Sequence, residues 1–155
     1  MAKSDANWGI NTRLAHGGND PRDYYGFVNP PVVHASTVLF PDAATMVSRS
    51  QKYTYGTRGT PTTDALAQAM NELEGSVGTI IVPSGLAAVT VPLLAFARAG
   101  DHVLIVDSVY HPTRHFADTM LTRLGVEVQY YDPRIGAGIA DLMKANTRIV
   151  FTESP

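Results

Sequence analysis

Apolar and polar positions follow two regimes along this chain, and the regular one begins at Pro61. Leu66, Met70 and Leu73 recur at i, i+4 and i+7 and so share one helical face. Thr62 or Thr63 can cap that helix, Asp64 sits in its first turn, and Gly75 ends it. The pattern then predicts a strand at Thr79–Val82, a helix from about Leu86 to Arg98 and a turn at Gly100-Asp101. A second strand follows at His102–Val106, and an amphipathic helix at Thr113–Leu124 is closed by Gly125. Val126–Tyr131 reads as a third strand, Ile139–Ala145 as a short helix and Arg148–Thr152 as a fourth strand. Pro92 lacks the N–H that a helix interior needs, so a kink is expected there. Strands alternating with helices predict an α/β fold with a mostly parallel sheet covered by helices. The strands are short, continuous and apolar, which suits burial on both faces.

Residues 1–60 read differently. They are rich in Gly, Pro, Asn and Asp, as in His16-Gly17-Gly18-Asn19-Asp20-Pro21, and show no sustained period beyond a short extended candidate at Val32–Leu39. A stretch this long without regular structure more often wraps a neighbour or covers a site than folds on its own core. The expected organisation is therefore an irregular arm, 1–60, that wraps a neighbour or covers a site, followed by the first part of an α/β domain over 61–155.

Composition narrows the class. A 155-residue chain with 45% hydrophobic and 17% charged residues can bury a core. The net charge of -2 and the scattered basic residues point away from nucleic acid and anionic membrane. The absence of cysteine excludes disulfides, Cys-ligated zinc and a thiol nucleophile, and is compatible with a cytoplasmic location. No signal peptide or bilayer-length apolar run is present, so a soluble protein is expected.

Chemistry is expected at the carboxyl ends of the strands, where open α/β sheets bind ligands. Ser84-Gly85-Leu86 forms a glycine turn leading into an apolar helix, which would aim free N–H groups and the positive helix end at one point. The same turn also serves as an ordinary strand-to-helix connection. Tyr110 follows the second strand, where its ring can stack on a flat ligand or simply pack at the sheet edge. Tyr55 and Arg58 could both bond phosphate oxygens, although a solvated loop arginine is the plainer reading of Arg58. Together these residues suggest an aromatic, phosphorylated cofactor. His111 and His115 are four apart on a helix, but no HExxH pattern accompanies them and no metal site is expected. Neither GxGxxG nor a Walker lysine is present, which disfavours a nucleotide-binding domain.

The order and spacing of several short motifs resemble the transsulfuration (Cys/Met metabolism) family of pyridoxal 5'-phosphate (PLP) enzymes. They are Thr12-Arg13-Leu14-Ala15-His16-Gly17-Gly18, Tyr55-Gly56-Thr57-Arg58-Gly59-Thr60-Pro61-Thr62, Leu73-Glu74-Gly75, Pro83-Ser84-Gly85-Leu86-Ala87-Ala88, Gly100-Asp101-His102-Val103, Tyr110 and Phe151-Thr152-Glu153-Ser154-Pro155. The resemblance implies that Gly85 and Leu86 hold the cofactor phosphate through backbone amides, and that Tyr110 stacks on the pyridine ring with a hydrogen-bond or proton role. It implies that Tyr55 reaches across a dimer interface to a neighbour's phosphate. The family places an arginine where this chain has Thr57; either Arg58, one residue later, takes that contact or it serves the substrate. Thr60 before Pro61 and Pro112 after Tyr110 are most similar to the cystathionine β-lyase branch. That branch cleaves cystathionine to homocysteine, pyruvate and ammonia in methionine metabolism. A γ-lyase, γ-synthase or sulfhydrylase is the alternative, as is a non-catalytic interaction protein. The resemblance further implies a homodimer or homotetramer. It places the cofactor-bearing lysine beyond Pro155, since Lys3, Lys52 and Lys144 lie in no matching context. The chain is thus expected to be the N-terminal portion of such an enzyme and inactive alone.

Overall fold

The structure, a computed structural model, describes residues 7–154. Its contacts divide the chain into two compact units, Met1–Ile81 and Val82–Pro155.

The first unit is built on one long helix. Short helices α1 (Ile10–His16) and α2 (Ala43–Ser48) precede α3 (Pro61–Glu74), with one-turn 3-10 segments at Pro21–Tyr24 and Gly56–Arg58. The arm therefore holds more regular structure than its sequence period predicts. The short helices escape a periodicity search because each is only one or two turns long and none of their residues is buried. Asp42 caps α2 by accepting from the Thr45 N–H at 2.7 Å. The extended candidate at Val32–Leu39 yields a single antiparallel bridge, Thr37 to Tyr55.

Helix α3 is capped two or three residues earlier than expected. Thr60 is its cap, and Thr60 and Thr63 bond each other's backbone N–H groups at 3.3 and 2.9 Å. Pro61 occupies the first turn, where its missing N–H costs nothing, and Gly75 ends the helix at φ +64°. Gly18 packs directly on α3. At φ +72° its missing Cβ would fall 2.1 Å from the Ala65 carbonyl oxygen, and its N–H donates to Glu72 Oε1 at 3.3 Å. Helix α1 packs on α3 through this turn.

The second unit is a three-stranded parallel sheet with helical cover. Its strands are β1 (His102–Val106), β2 (Glu127–Tyr131) and β3 (Thr147–Phe151), in the order β2-β1-β3. Every residue of β1 is buried, as the continuous apolar run predicts for a central strand. His102 is polar yet wholly buried. Its ring nitrogens meet Thr147 Oγ1 at 2.8 Å and Gln129 Oε1 at 3.1 Å, so it bonds a residue of each neighbouring strand. Helix α4 (Gly85–Phe96) runs through Pro92 without interruption and buries Leu93. Helix α5 (His111–Phe116) continues through a π-helical turn, Ala117–Leu121, which buries Ala117 and Leu121.

One predicted strand does not form. Thr79–Val82 pairs with no strand among the described residues, and Ile80 is 85% exposed. Its apolar run satisfies the residue pattern of a strand, but a strand also needs a ladder partner. Thr79 instead donates its hydroxyl to Asn71 Oδ1 of α3 at 2.7 Å. The short helix expected at Ile139–Ala145 is a 3-10 segment, Gly136–Leu142.

Candidate functional site

Chain direction assembles the site of the second unit. Strand β1 leads through Asp107–Tyr110 directly into α5, so Tyr110 lies at the carboxyl end of the sheet. Helix α4 reaches β1 through the turn at 97–101 and packs on α5 and β3. Its twelve residues span ~18 Å, close to the ~17 Å of a five-residue strand. Running back along the sheet, it brings Gly85 and Leu86 to the same end as Tyr110.

At that end the first turn of α4 leaves backbone donors free. Ser84 Oγ caps the helix by accepting from the Ala87 N–H at 3.1 Å, and Ser84 O accepts from the Ala88 N–H at 3.0 Å. The Gly85 and Leu86 N–H groups have no protein acceptor among the described residues. A Cβ at Gly85 would meet nothing within 4 Å, so the space before these amides is open. Two unclaimed donors at the positive end of a twelve-residue helix suit a phosphate dianion. The Tyr110 ring is 60% exposed and free to meet a flat partner. This donor set and this ring fit a phosphorylated heteroaromatic such as PLP.

The turn bearing Tyr110 is held through Arg114, a residue that the sequence pattern did not single out. Arg114 Nη2 donates to Asp107 Oδ1 at 2.7 Å and to the Asp107 carbonyl at 2.6 Å. Its guanidinium lies 3.9 Å from the centre of the Tyr130 ring, and Tyr130 Oη donates to Asp118 Oδ1 at 2.6 Å. The Asp107 carboxylate raises the Arg114 pKa further, while burial, then the bond to Asp118, raises that of the Tyr130 phenol. Beside this turn lies a cleft of about 330 Å³ at the carboxyl ends of the strands, lined by Val106 and Ser108 at the end of β1, Tyr131 and Pro133 at the end of β2, and Glu153 and Ser154 after β3. No spacing rule links Asp107 to Arg114, because strand and helix are joined by an irregular turn.

Tyr55 and Arg58 belong to the first unit, where the structure brings them together. They line a cleft of about 230 Å³ with Lys52, Tyr53 and Asp64. Tyr55 is 44% exposed and bridges to Thr37, and the next residue, Gly56, donates its N–H to the Ser36 carbonyl at 2.7 Å. Gly56 has no room for a side chain, since a Cβ would overlap the Ala35 carbonyl oxygen at 1.6 Å. Thr57 sits in the 3-10 turn between Gly56 and Arg58. Lys52 Nζ pairs with Asp64 Oδ2 at 2.7 Å, and Lys144 pairs with Glu127. His111 and His115 lie on α5, and the described residues contain no group of three or more His, Cys, Asp or Glu able to hold a metal. No helix among them is long and apolar enough to cross a membrane.

Comparison with known proteins places this geometry. A family profile described as Cys/Met metabolism PLP-dependent enzyme matches residues 11–155. A Rhizobium johnstonii protein provisionally named cystathionine beta-lyase is 72% identical over 149 residues, covering 96% of this chain and 38% of the relative. The Escherichia coli protein named cystathionine beta-lyase is 40% identical over 151 residues, covering 94% of this chain and 38% of its own length. Among solved structures, metB from Corynebacterium glutamicum superimposes with a TM-score of 0.88 at 30% identity, over 96% of this chain and 38% of that one. The chain thus spans well under half the length of the relatives it matches.

Proposed function

We infer the function from one premise: this chain belongs to the Cys/Met metabolism family of PLP-dependent enzymes. On that premise we propose a cystathionine β-lyase activity, in which the Cβ–S bond of cystathionine is broken and, with one water consumed, homocysteine, pyruvate and ammonia are released. The observation that supports the branch is the likeness to two proteins bearing that name across nearly the whole of this chain. Thr60 and Pro112, at the positions where the γ-acting relatives differ, support the same choice.

When bound, PLP supplies the electron sink that makes the substrate α-proton removable. The chain's own residues then have distinct tasks. The Gly85 and Leu86 amides hold the phosphate at the positive end of α4. The Tyr110 ring lies against the pyridine, and its hydroxyl holds or moves a proton beside the substrate. Arg114, through Asp107, keeps the Tyr110 turn in place. Tyr55 and Arg58 serve the phosphate of a second copy, so the working form is at least a homodimer. The cytoplasm is the proposed location.

None of the three lysines is assigned to cofactor attachment. Lys52 is ion-paired with Asp64 and Lys144 with Glu127. The Lys52 pKa is raised first by its bond to Asp64. Lys3 lies outside the described residues.

A product assay tests the branch. The PLP-loaded full-length enzyme given L-cystathionine is expected to release pyruvate and homocysteine in equal amounts. Release of 2-oxobutyrate and cysteine would assign it to the γ-lyases instead.

A further inference from the structure

We propose that Asp64 is a positioning residue: through Lys52 and Tyr53 it sets the loop 52–59 so that Tyr55 and Arg58 meet the cofactor phosphate. The proposal rests on the reading of Tyr55 and Arg58 as phosphate contacts.

Asp64 is itself firmly placed. It lies in the first turn of α3, directly after the Thr60–Thr63 capping box. Its Oδ2 accepts from Tyr53 Oη at 2.9 Å and pairs with Lys52 Nζ at 2.7 Å. The Lys52 ammonium also lies 4.9 Å from the centre of the Tyr53 ring, so the three side chains form one cluster. The loop between this anchor and the helix cap runs only from Thr54 to Gly59. Gly59 closes it at φ +151°, a conformation open to glycine, with Asp64 Oδ1 3.6 Å from the position of a Cβ. The other side of the loop is held as well. Gln51 Nε2 donates to the carbonyls of Leu39 at 3.1 Å and Tyr53 at 2.7 Å, and Gly56 is locked against Ala35 and Ser36.

The charges show what this clasp accomplishes. The cleft contains two cations, Lys52 and Arg58, and one carboxylate, Asp64. The carboxylate is committed to Lys52, and the Arg58 guanidinium has no partner among the described residues. Arg58 is therefore the cation left for an incoming dianion, and Lys52 serves as a tether. Phosphate recognition by a planar guanidinium is sensitive to its placement, so loosening the tether should weaken phosphate binding specifically.

The test titrates the apo form of the enzyme with PLP and, separately, with pyridoxal, which lacks the phosphate. Asp64→Ala should weaken PLP binding about tenfold, a loss in the range of one charge-assisted contact. Asp64→Asn keeps an acceptor for Tyr53 and should lose about threefold. Pyridoxal binding and the melting temperature of the apo form should stay at wild-type values in both variants. Tyr55→Phe and Arg58→Ala report on the underlying reading. If those two weaken PLP binding while Asp64→Ala does not, the positioning role is overturned and the phosphate reading stands. If Asp64→Ala weakens PLP and pyridoxal equally, or lowers the melting temperature in step, its role is structural and the proposal fails. If Tyr55→Phe and Arg58→Ala also bind PLP like wild type, the phosphate reading fails and takes the proposal with it.

Discussion

Single residues in this chain are decided by what the backbone beside them leaves free. Gly18 is the clearest structural case, because its φ of +72° and the Ala65 carbonyl 2.1 Å from a notional Cβ both exclude a side chain. Gly18→Ala should therefore destabilise the protein by at least ~1–3 kcal/mol, read as a lower urea midpoint at unchanged slope. Gly85 is glycine for another reason. Its surroundings are open, so Gly85→Ala should leave stability within about 1 kcal/mol of wild type while PLP retention falls. Tyr110 separates ring from hydroxyl. Tyr110→Ala should lose both cofactor retention and turnover, whereas Tyr110→Phe should keep the cofactor and lose turnover, as PLP occupancy after dialysis and pyruvate release will record. Wild-type behaviour of both variants would remove Tyr110 from the site.

Elements in this chain were legible wherever local pattern alone decides them. Strand β1 falls at His102–Val106 as predicted, because a central strand buried on both faces is a plain apolar run. The glycine that closes α3, Gly75, was visible for the same local reason. Thr79–Val82 carries an equally apolar run and forms no strand, since pairing is a property of two segments and only one is written there. The cap of α3 moved from Thr62 or Thr63 to Thr60, a choice set by the reciprocal bonds between Thr60 and Thr63. Thr60→Ala should cost about 1 kcal/mol through loss of that cap. The strands also carry a pH signature. The Lys144 ammonium, first through its direct bond, holds the Glu127 carboxyl on β2 below its ordinary value of 4.5. A depressed carboxyl stabilises the fold above its ordinary pKa and loses that contribution as pH falls through the folded value. Lys144→Met should therefore flatten the decline of the urea midpoint as pH falls below 4.5.

At the scale of the whole molecule, the two units differ in how they are held. The second has a continuous core around β1, Leu93 and Leu121. In the first, the only buried side chains among the described residues are Thr60 and Ala65, while Phe27, Val32 and Val47 stand 70–80% exposed. Apolar surface of that kind is what a second copy would cover. Sedimentation of the PLP-loaded enzyme should give a dimer or larger, and a monomer with full activity would contradict the shared site. The candidate site was half visible in the sequence. Gly85, Leu86, Tyr110, Tyr55 and Arg58 stand in motifs, whereas Arg114 and Asp64 act through contacts that only the folded chain brings about. The central claim is that PLP binds with its phosphate on the first turn of α4 and its ring on Tyr110. A crystal structure of the PLP-loaded enzyme tests it most directly. The account predicts phosphate oxygens within about 3 Å of the Gly85 and Leu86 nitrogens and the pyridine ring stacked on Tyr110. A phosphate bound away from those amides, with Tyr110 facing solvent, would contradict it.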